Sequence, residues 1–153
     1  MSEPDPFLIG PDDPKAEGPA ALLAQSHALM ISMFPPGACH FLDLDALCGP
    51  DIRFVTARDG RDVLGTGAIA LREDYAEVKS MFTAPEARGR GVADAILRHL
   101  IELAAQEGRP RLMLETGTGL DAAHRLYARH GFVPCDPFGG YDAAETSLFF
   151  KRS

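Results

Sequence analysis

The sequence lacks the features that mark membrane, secreted and disulfide-rich proteins. No apolar run approaches the roughly 20 residues that a membrane-spanning helix requires, and no basic segment followed by an apolar one opens the chain. The three cysteines are scattered, which does not suit a disulfide framework. We therefore expect a cytoplasmic protein with no membrane partner.

An excess of basic residues is also missing. The 153 residues include 15 Lys and Arg against 22 Asp and Glu, for a net charge of −7. This balance argues against nucleic acid as the main partner and is compatible with a cationic amine substrate. The length predicts one domain, which we place at residues 7–153 after a flexible segment at residues 1–6.

The pattern of apolar residues predicts an α+β fold in a layered arrangement. Helices are expected over residues 20–33, 41–47 and 121–130, and a further helix begins at residue 92, carries apolar residues to position 104 and is closed by Gly108 and Pro110. Strands are expected over residues 7–9, 52–57, 63–71, 76–83, 111–115, 132–133 and 145–151. Asp43 suits the start of the second helix, and Asp59-Gly60 suits a hairpin turn between two of the strands.

A glycine-rich loop joins the strand predicted over residues 76–83 to the helix that follows. It reads Arg88-Gly89-Arg90-Gly91. The first N–H groups of a helix lack partners within the helix, and its dipole favours negative charge. Glycines let the backbone approach a ligand closely, and arginines pair well with phosphate oxygens. The loop therefore predicts a site for a phosphate or pyrophosphate group.

Three common phosphate-binding motifs do not describe this loop. It lacks the Lys-Ser/Thr ending of a nucleoside triphosphatase loop. It also lacks the G-x-G-x-x-G spacing of a dinucleotide-binding fold and does not follow a first strand. A single Arg-Gly-Arg-Gly copy in an acidic protein is weak evidence for RNA binding.

The loop resembles the acetyl-CoA signature of the Gcn5-related N-acetyltransferases, which is Arg/Gln-x-x-Gly-x-Gly/Ala. Arg88, Gly91 and Ala93 fill its fixed positions. A second mark of that family is the segment LYARHGF at residues 126–132. The two motifs occur in the family's order and spacing, and the resemblance extends from about residue 7 to the end of the chain.

This resemblance implies a fold, a cosubstrate and a reaction. The fold would be a mixed, mostly antiparallel sheet with helices on both faces, whose two central strands splay apart to admit the pantetheine arm of acetyl-CoA. The reaction would be transfer of an acetyl group to a small-molecule amine or amino acid by direct attack in a ternary complex, without a metal. The implied cofactor-binding residues are Met81, Phe82, Thr83, Arg88, Gly89, Arg90, Gly91, Val92, Ala93 and Tyr127.

Two side chains carry the chemistry in this interpretation. Tyr127 matches the tyrosine that protonates the departing thiolate, although a tyrosine there could also only pack the helix on the sheet. Glu77 lies eleven positions before Arg88, where family members often carry the base that accepts the amine proton. Glu77 could instead pair with Lys79, and Glu115 is an alternative base. In the backbone, the Met81 N–H would stabilise the oxyanion, and Thr83 would bond the pantetheine amide.

Several points stay open at this level. Many relatives have an asparagine seven residues before the tyrosine, where this chain has Leu120. His124 could face the acceptor amine, whose pocket would be shaped by residues 35–41 and 137–141. Cys39, His40 and Cys48 are spaced too poorly to predict a metal site. A non-catalytic sensor of acyl-CoA is an alternative function, and a homodimer could form through the closing strand.

Overall fold

The computed structural model of the chain describes residues 7–35, 42–139 and 147–153. Within them, strands and helices alternate in an α+β order, and no helix has both the length and the apolar composition to cross a membrane. A 3₁₀ turn, Pro85–Ala87, precedes the glycine-rich loop. The elements are β1 (Leu8–Pro11), α1 (Glu17–Met33), α2 (Leu44–Leu47), β2 (Ile52–Asp59), β3 (Asp62–Leu71), β4 (Ala76–Thr83), α3 (Val92–Gln106), β5 (Leu112–Gly117), α4 (Asp121–Arg129), β6 (Val133–Pro134) and β7 (Ser147–Arg152).

Most elements lie where the apolar pattern predicts them, and some ends differ for local reasons. α1 begins at Glu17, ahead of the predicted start, with Pro19 in its first turn, where the N–H that proline lacks has no helical partner anyway. α2 has only four residues and follows Asp43, whose side chain accepts a backbone hydrogen bond of 2.8 Å from the helix. Parts of the predicted helix 41–47 and strand 145–151 lie outside the described residues.

The strands form one mixed sheet in the order β1-β2-β3-β4-β5-β7-β6. All neighbouring strands are antiparallel except β4 and β5, so the mixed, mostly antiparallel sheet is confirmed. β7 does not form an edge of the described sheet, although the sequence left it open as a strand for pairing with a second copy. It lies between β5 and the short strand β6, which pairs with its residues 150 and 151.

Helices cover both faces of the sheet. Gly67 of β3 faces α3, since a Cβ at this position would lie 2.6 Å from Cγ2 of Ile96. The next residue, Ala68, points to the opposite face because successive strand residues alternate. Ala68 packs there with Leu23 of α1 and Leu47 of α2. We call these two sides the α3 face and the α1 face.

A bulge interrupts β4 partway along its pairing with β3. The register shifts between Thr66 and Ala68, and Ser80, opposite this shift, has a φ of +57°. A left-handed conformation costs a residue other than glycine roughly 1–2 kcal/mol. The hydroxyl group of Thr66 donates a hydrogen bond of 2.7 Å to the carbonyl oxygen of Ser80 and helps to hold the bulge in place. Bulges bend a strand and increase its twist.

A substitution at Gly67 tests how closely α3 packs on the sheet. A Cβ at Gly67 would lie within 3.1 Å of Ile96, Met81 and Leu100, so we expect Gly67→Ala to lower the free energy of unfolding in urea by about 1–3 kcal/mol. Gly10→Ala is the matched control, because no atom lies within 4 Å of its Cβ position. Equal stability of the two variants would contradict this close packing.

Candidate active site

β4 and β5 separate after their first two pairs of residues. They pair in parallel at Ala76↔Leu112 and Glu77↔Met113, although β4 continues to Thr83 and β5 to Gly117. The splay implied by the family resemblance is therefore present. We call the opening the β4–β5 cleft, and its two walls are strand backbone.

The bulge turns the N–H groups of Met81 and Thr83 toward this cleft. The N–H of Ala76 donates to the residue that leads into β5 (2.9 Å), whereas the N–H of Ala84 donates to β3 (2.8 Å). Along a regular strand, residues an even number apart direct their N–H groups to the same side. The extra residue at the Ser80 bulge reverses this direction, so odd-numbered residues beyond it face β5.

The glycine-rich loop lies at the end of β4 and leads into α3. Gly89 and Gly91 have φ values of +84° and +78°, and no atom lies within 4 Å of a Cβ placed on either residue. Gly91 is the N-cap of α3 and supplies no side-chain hydrogen bond to the first turn. Arg88 is exposed, and Arg90 lies 3.5 Å from Asp59. The open backbone and the two cations suit an anionic group.

Tyr127 is buried on the α3 face, with 7% of its surface exposed. Its ring lies 5.7 Å from that of Phe132 and 6.4 Å from that of Phe150. Burial raises the pKa of Tyr127 to about 12, with a further contribution from the negative charge of Glu115. The phenol is therefore protonated at neutral pH and can donate a proton or hydrogen bond.

Glu77 lies at the point where β4 and β5 part, on the opposite face of the sheet from Tyr127. It pairs with Ala70, which shares the α1 face with Ala68. The carboxylate is almost fully buried and contacts two cations, Arg72 (3.3 Å) and Lys79 (3.2 Å). The contact with Lys79 that the sequence left as an alternative is thus present, and it is compatible with either role for Glu77.

The other residues considered from the sequence have different surroundings. Glu115 is half-buried on β5, where its charge reaches Tyr127. His124 places Nε2 2.9 Å from the carbonyl oxygen of Gly117 and its ring 5.8 Å from that of Phe150. These contacts anchor α4 to the end of β5. Leu120 precedes the first residue of α4 and makes no side-chain cap.

Aromatic side chains form a cluster near Glu77. The rings of Tyr75 and Phe138, and those of Phe138 and Phe149, lie 5.7 Å apart in edge-on contacts. Burial and then the charge of Glu77 raise the pKa of Tyr75. A Cβ at Gly117 would overlap the ring of Phe34 at the end of α1. Phe138 belongs to the segment 137–141 expected to shape the acceptor pocket, and Phe34 directly precedes the other such segment, 35–41; residues 36–41 and 140–146 lie outside the described residues.

Sequence reasoning missed one cluster next to the loop. Asp94, in the first turn of α3, contacts His130 (2.8 Å) and Arg129 (3.2 Å) at the end of α4. Burial opposes ionisation of Asp94, but hydrogen bonds from His130 and Arg129 outweigh it, so its pKa is lowered. The only sequence signal was the basic end of the LYARHGF motif.

Among the described residues, neither a group of metal ligands nor either of two open cavities marks this site. Two open cavities of about 550 and 370 Å³ lie beside β1 and β2, away from the β4–β5 cleft. Among the described residues, no three His, Cys, Asp or Glu side chains are grouped to hold a metal ion. Cys48 is exposed, and Cys39 and His40 are outside the described ranges.

Comparison with known proteins decides the family. The model of the acetyltransferase (GNAT) family matches residues 25–132. The chain belongs to the GNAT family. An uncharacterized N-acetyltransferase of Escherichia coli K12, YedL, is 41% identical over 148 residues, which cover 95% of this chain and 93% of YedL. As a GNAT member the protein is an N-acetyltransferase.

Solved GNAT structures share the fold described above. A Klebsiella pneumoniae protein solved as a candidate acyl-CoA N-acyltransferase is 27% identical and has a TM-score of 0.83, with 95% of this chain and 96% of that chain covered. An Elizabethkingia anophelis GNAT acetyltransferase solved with acetyl-CoA bound is 16% identical, with a TM-score of 0.70 and coverage of 97% and 99%. The GNAT fold expected from the sequence is therefore confirmed.

Alkaline titration tests the burial of Tyr127. We expect one tyrosinate component near pH 12 in ultraviolet absorbance, absent from Tyr127→Phe. Because the unfolded chain releases this proton near pH 10, the stability that the raised pKa contributes is complete below pH 10 and is lost as the pH rises toward 12. The melting temperature of the wild type should fall more across this interval than that of the variant. Complete titration of every tyrosine near pH 10 in the folded wild type would contradict this environment.

Proposed function

We propose that the protein transfers an acetyl group from acetyl-CoA to the amine of a small molecule or amino acid by direct attack in a ternary complex. The observation that carries the proposal is the β4–β5 cleft, which receives the N–H groups of Met81 and Thr83 and leads to the open loop before α3. A strand-like pantetheine arm and a pyrophosphate are the groups that such a cleft and loop can bind together.

The residues of the cleft and loop fit the cosubstrate. The Thr83 N–H would pair with the pantetheine amide, along the Met81–Thr83 segment of β4. The pyrophosphate would lie against the segment Arg88–Ala93, where the glycines leave the backbone open and no side chain caps α3. Arg88 and Arg90 add the positive charge that two phosphate groups require.

The thioester of acetyl-CoA supplies an activated acetyl group. The protein would supply one group for the carbonyl oxygen of this thioester and another for its sulfur. The amine nitrogen bonds to the carbonyl carbon while the Met81 N–H stabilises the oxyanion that develops. As the carbon–sulfur bond breaks, the Tyr127 hydroxyl donates its proton to the departing thiolate. Burial keeps the phenol neutral and raises its pKa, so the hydroxyl first donates a hydrogen bond to the sulfur and releases its proton only as negative charge develops there.

We assign acceptance of the amine proton to Glu77, directly or through water. Glu77 adjoins the start of the cleft, and Glu115 lies one strand away. Its contacts with Arg72 and Lys79 engage both carboxylate oxygens, so the incoming ammonium group would have to displace one of these cations. A cationic acceptor would suit the net charge of −7.

Thermal stabilisation by acetyl-CoA tests the binding loop. At 100 times its dissociation constant, acetyl-CoA should stabilise the wild type by about 2.7 kcal/mol, visible as a rise in melting temperature. Gly91→Glu should abolish this rise, because the new carboxylate blocks and repels the pyrophosphate. Gly108→Glu is the matched control, since Gly108 has a φ of +77° and equally open surroundings beyond the other end of α3. Absence of stabilisation in the wild type would refute the cosubstrate.

Turnover tests the acid and base assignments. With the best acceptor from a panel of amines and amino acids, Tyr127→Phe should lower kcat by about 100-fold or more, with little change in KM for acetyl-CoA. Glu77→Gln should also lower kcat, whereas Glu115→Gln should not. Full activity of Tyr127→Phe would rule out its role as the acid, and a loss confined to Glu115→Gln would exchange the two carboxylates. Tight binding of acetyl-CoA without any acceptor would favour the sensor function instead.

A further inference from the structure

We infer that Asp94 and His130 form a positioning pair that fixes Tyr127 relative to the loop and first turn of α3. The inference rests on the proposed function, because it concerns the distance between the acid and the part of the site that would hold the pyrophosphate. Neither residue is expected to touch the substrate. Their role is to link two elements that each carry one part of the site.

The pair joins the functional ends of two helices. Asp94 is the third residue of α3, three positions after Gly91, and His130 follows α4 three positions after Tyr127. Nε2 of His130 lies 2.8 Å from Oδ1 of Asp94, across 36 residues of sequence. A carboxylate accepts hydrogen bonds, so Nε2 must carry the proton in this contact. Arg129 adds a second contact to the same carboxylate at 3.2 Å.

The segment that carries His130 also fixes the backbone of Tyr127. The N–H groups of His130 and Phe132 both donate to the Tyr127 carbonyl oxygen, at 3.1 and 3.0 Å. The carbonyl oxygen of His130 accepts a hydrogen bond of 2.8 Å from Arg152 of β7. A shift of His130 would therefore move the turn that holds Tyr127, and Asp94 ties this turn to α3.

The pair also explains how the Asp94 carboxylate can lie so close to the expected anion without repelling it. An uncompensated charge at Asp94 would lie within about one helical turn of the pyrophosphate and would repel it. Arg129 and His130 place their cationic or hydrogen-bonding groups on that carboxylate. One contact set thus links the helices and compensates the charge.

Fluorine NMR of the full-length protein labelled with fluorotyrosine tests the inference without an acceptor. The chain has three tyrosines, Tyr75, Tyr127 and Tyr141, and Tyr→Phe variants assign their signals. We expect His130→Ala and Asp94→Ala to shift or broaden the Tyr127 signal in the free protein. Asp94→Asn should retain it, because its amide oxygen can accept the same hydrogen bond from Nε2. Arg125→Ala, an exposed change on α4, is the control.

Coenzyme A is then added to the wild type and to each folded variant. Binding of coenzyme A to the wild type should shift the Tyr127 signal. The His130→Ala variant should still bind coenzyme A, but the shift of its Tyr127 signal should be at most half of that in the wild type. Where an acceptor is known, kcat should fall by up to about 100-fold with KM for acetyl-CoA nearly unchanged.

The outcomes separate the inference from the proposed function. An unchanged Tyr127 signal in both His130→Ala and Asp94→Ala, with lowered melting temperatures, would reduce the pair to a structural contact and overturn the inference. If either variant does not fold, His130→Leu and Asp94→Leu decide the same question, because they keep side-chain bulk but cannot make the hydrogen bond; an unchanged Tyr127 signal in both would overturn the inference. Failure of coenzyme A to bind the wild type would instead overturn the proposed function, whatever the variants show in the free protein.

Discussion

The site depends on one constraint, the extra residue that the bulge inserts into β4. Ser80 has a left-handed conformation that costs a serine energy, and the Thr66 hydroxyl bonds its carbonyl oxygen. A regular β4 would direct the N–H groups of Met81 and Thr83 at β3. The bulge directs them at the β4–β5 cleft, where they lack partners from β5. Backbone donors seldom stay unpaired in a protein interior, so the cleft favours an occupant that can supply acceptors.

The glycine-rich loop, which is the second part of the candidate site, follows closely after the end of β4. Between Thr83 and the start of α3 lie only Ala84, the 3₁₀ turn and four loop residues. The surfaces that we propose for an extended amide chain and for a phosphate group are therefore held close to each other by a short stretch of backbone. Because both surfaces are mainly main chain, the side chains around them can vary, which is consistent with a shared fold at 16% identity.

The parts of the site that the sequence predicted are those with local signals. Gly89 and Gly91 reveal their loop because positive φ values favour glycine, and strand and helix periods locate β4 and α3. The bulge has no such signal, since serine rarely takes this conformation. The contact between Asp94 and His130 joins residues distant in sequence. The position of β7 inside the sheet likewise depends on pairing with β6 that no local pattern encodes.

The two candidate proton-transfer groups lie on opposite faces of the sheet. Tyr127 belongs to the apolar α3 face, and burial keeps it neutral. Glu77 lies on the α1 face between two cations. In the proposed mechanism, this placement on opposite faces lets Glu77 serve the amine while Tyr127 serves the thiolate.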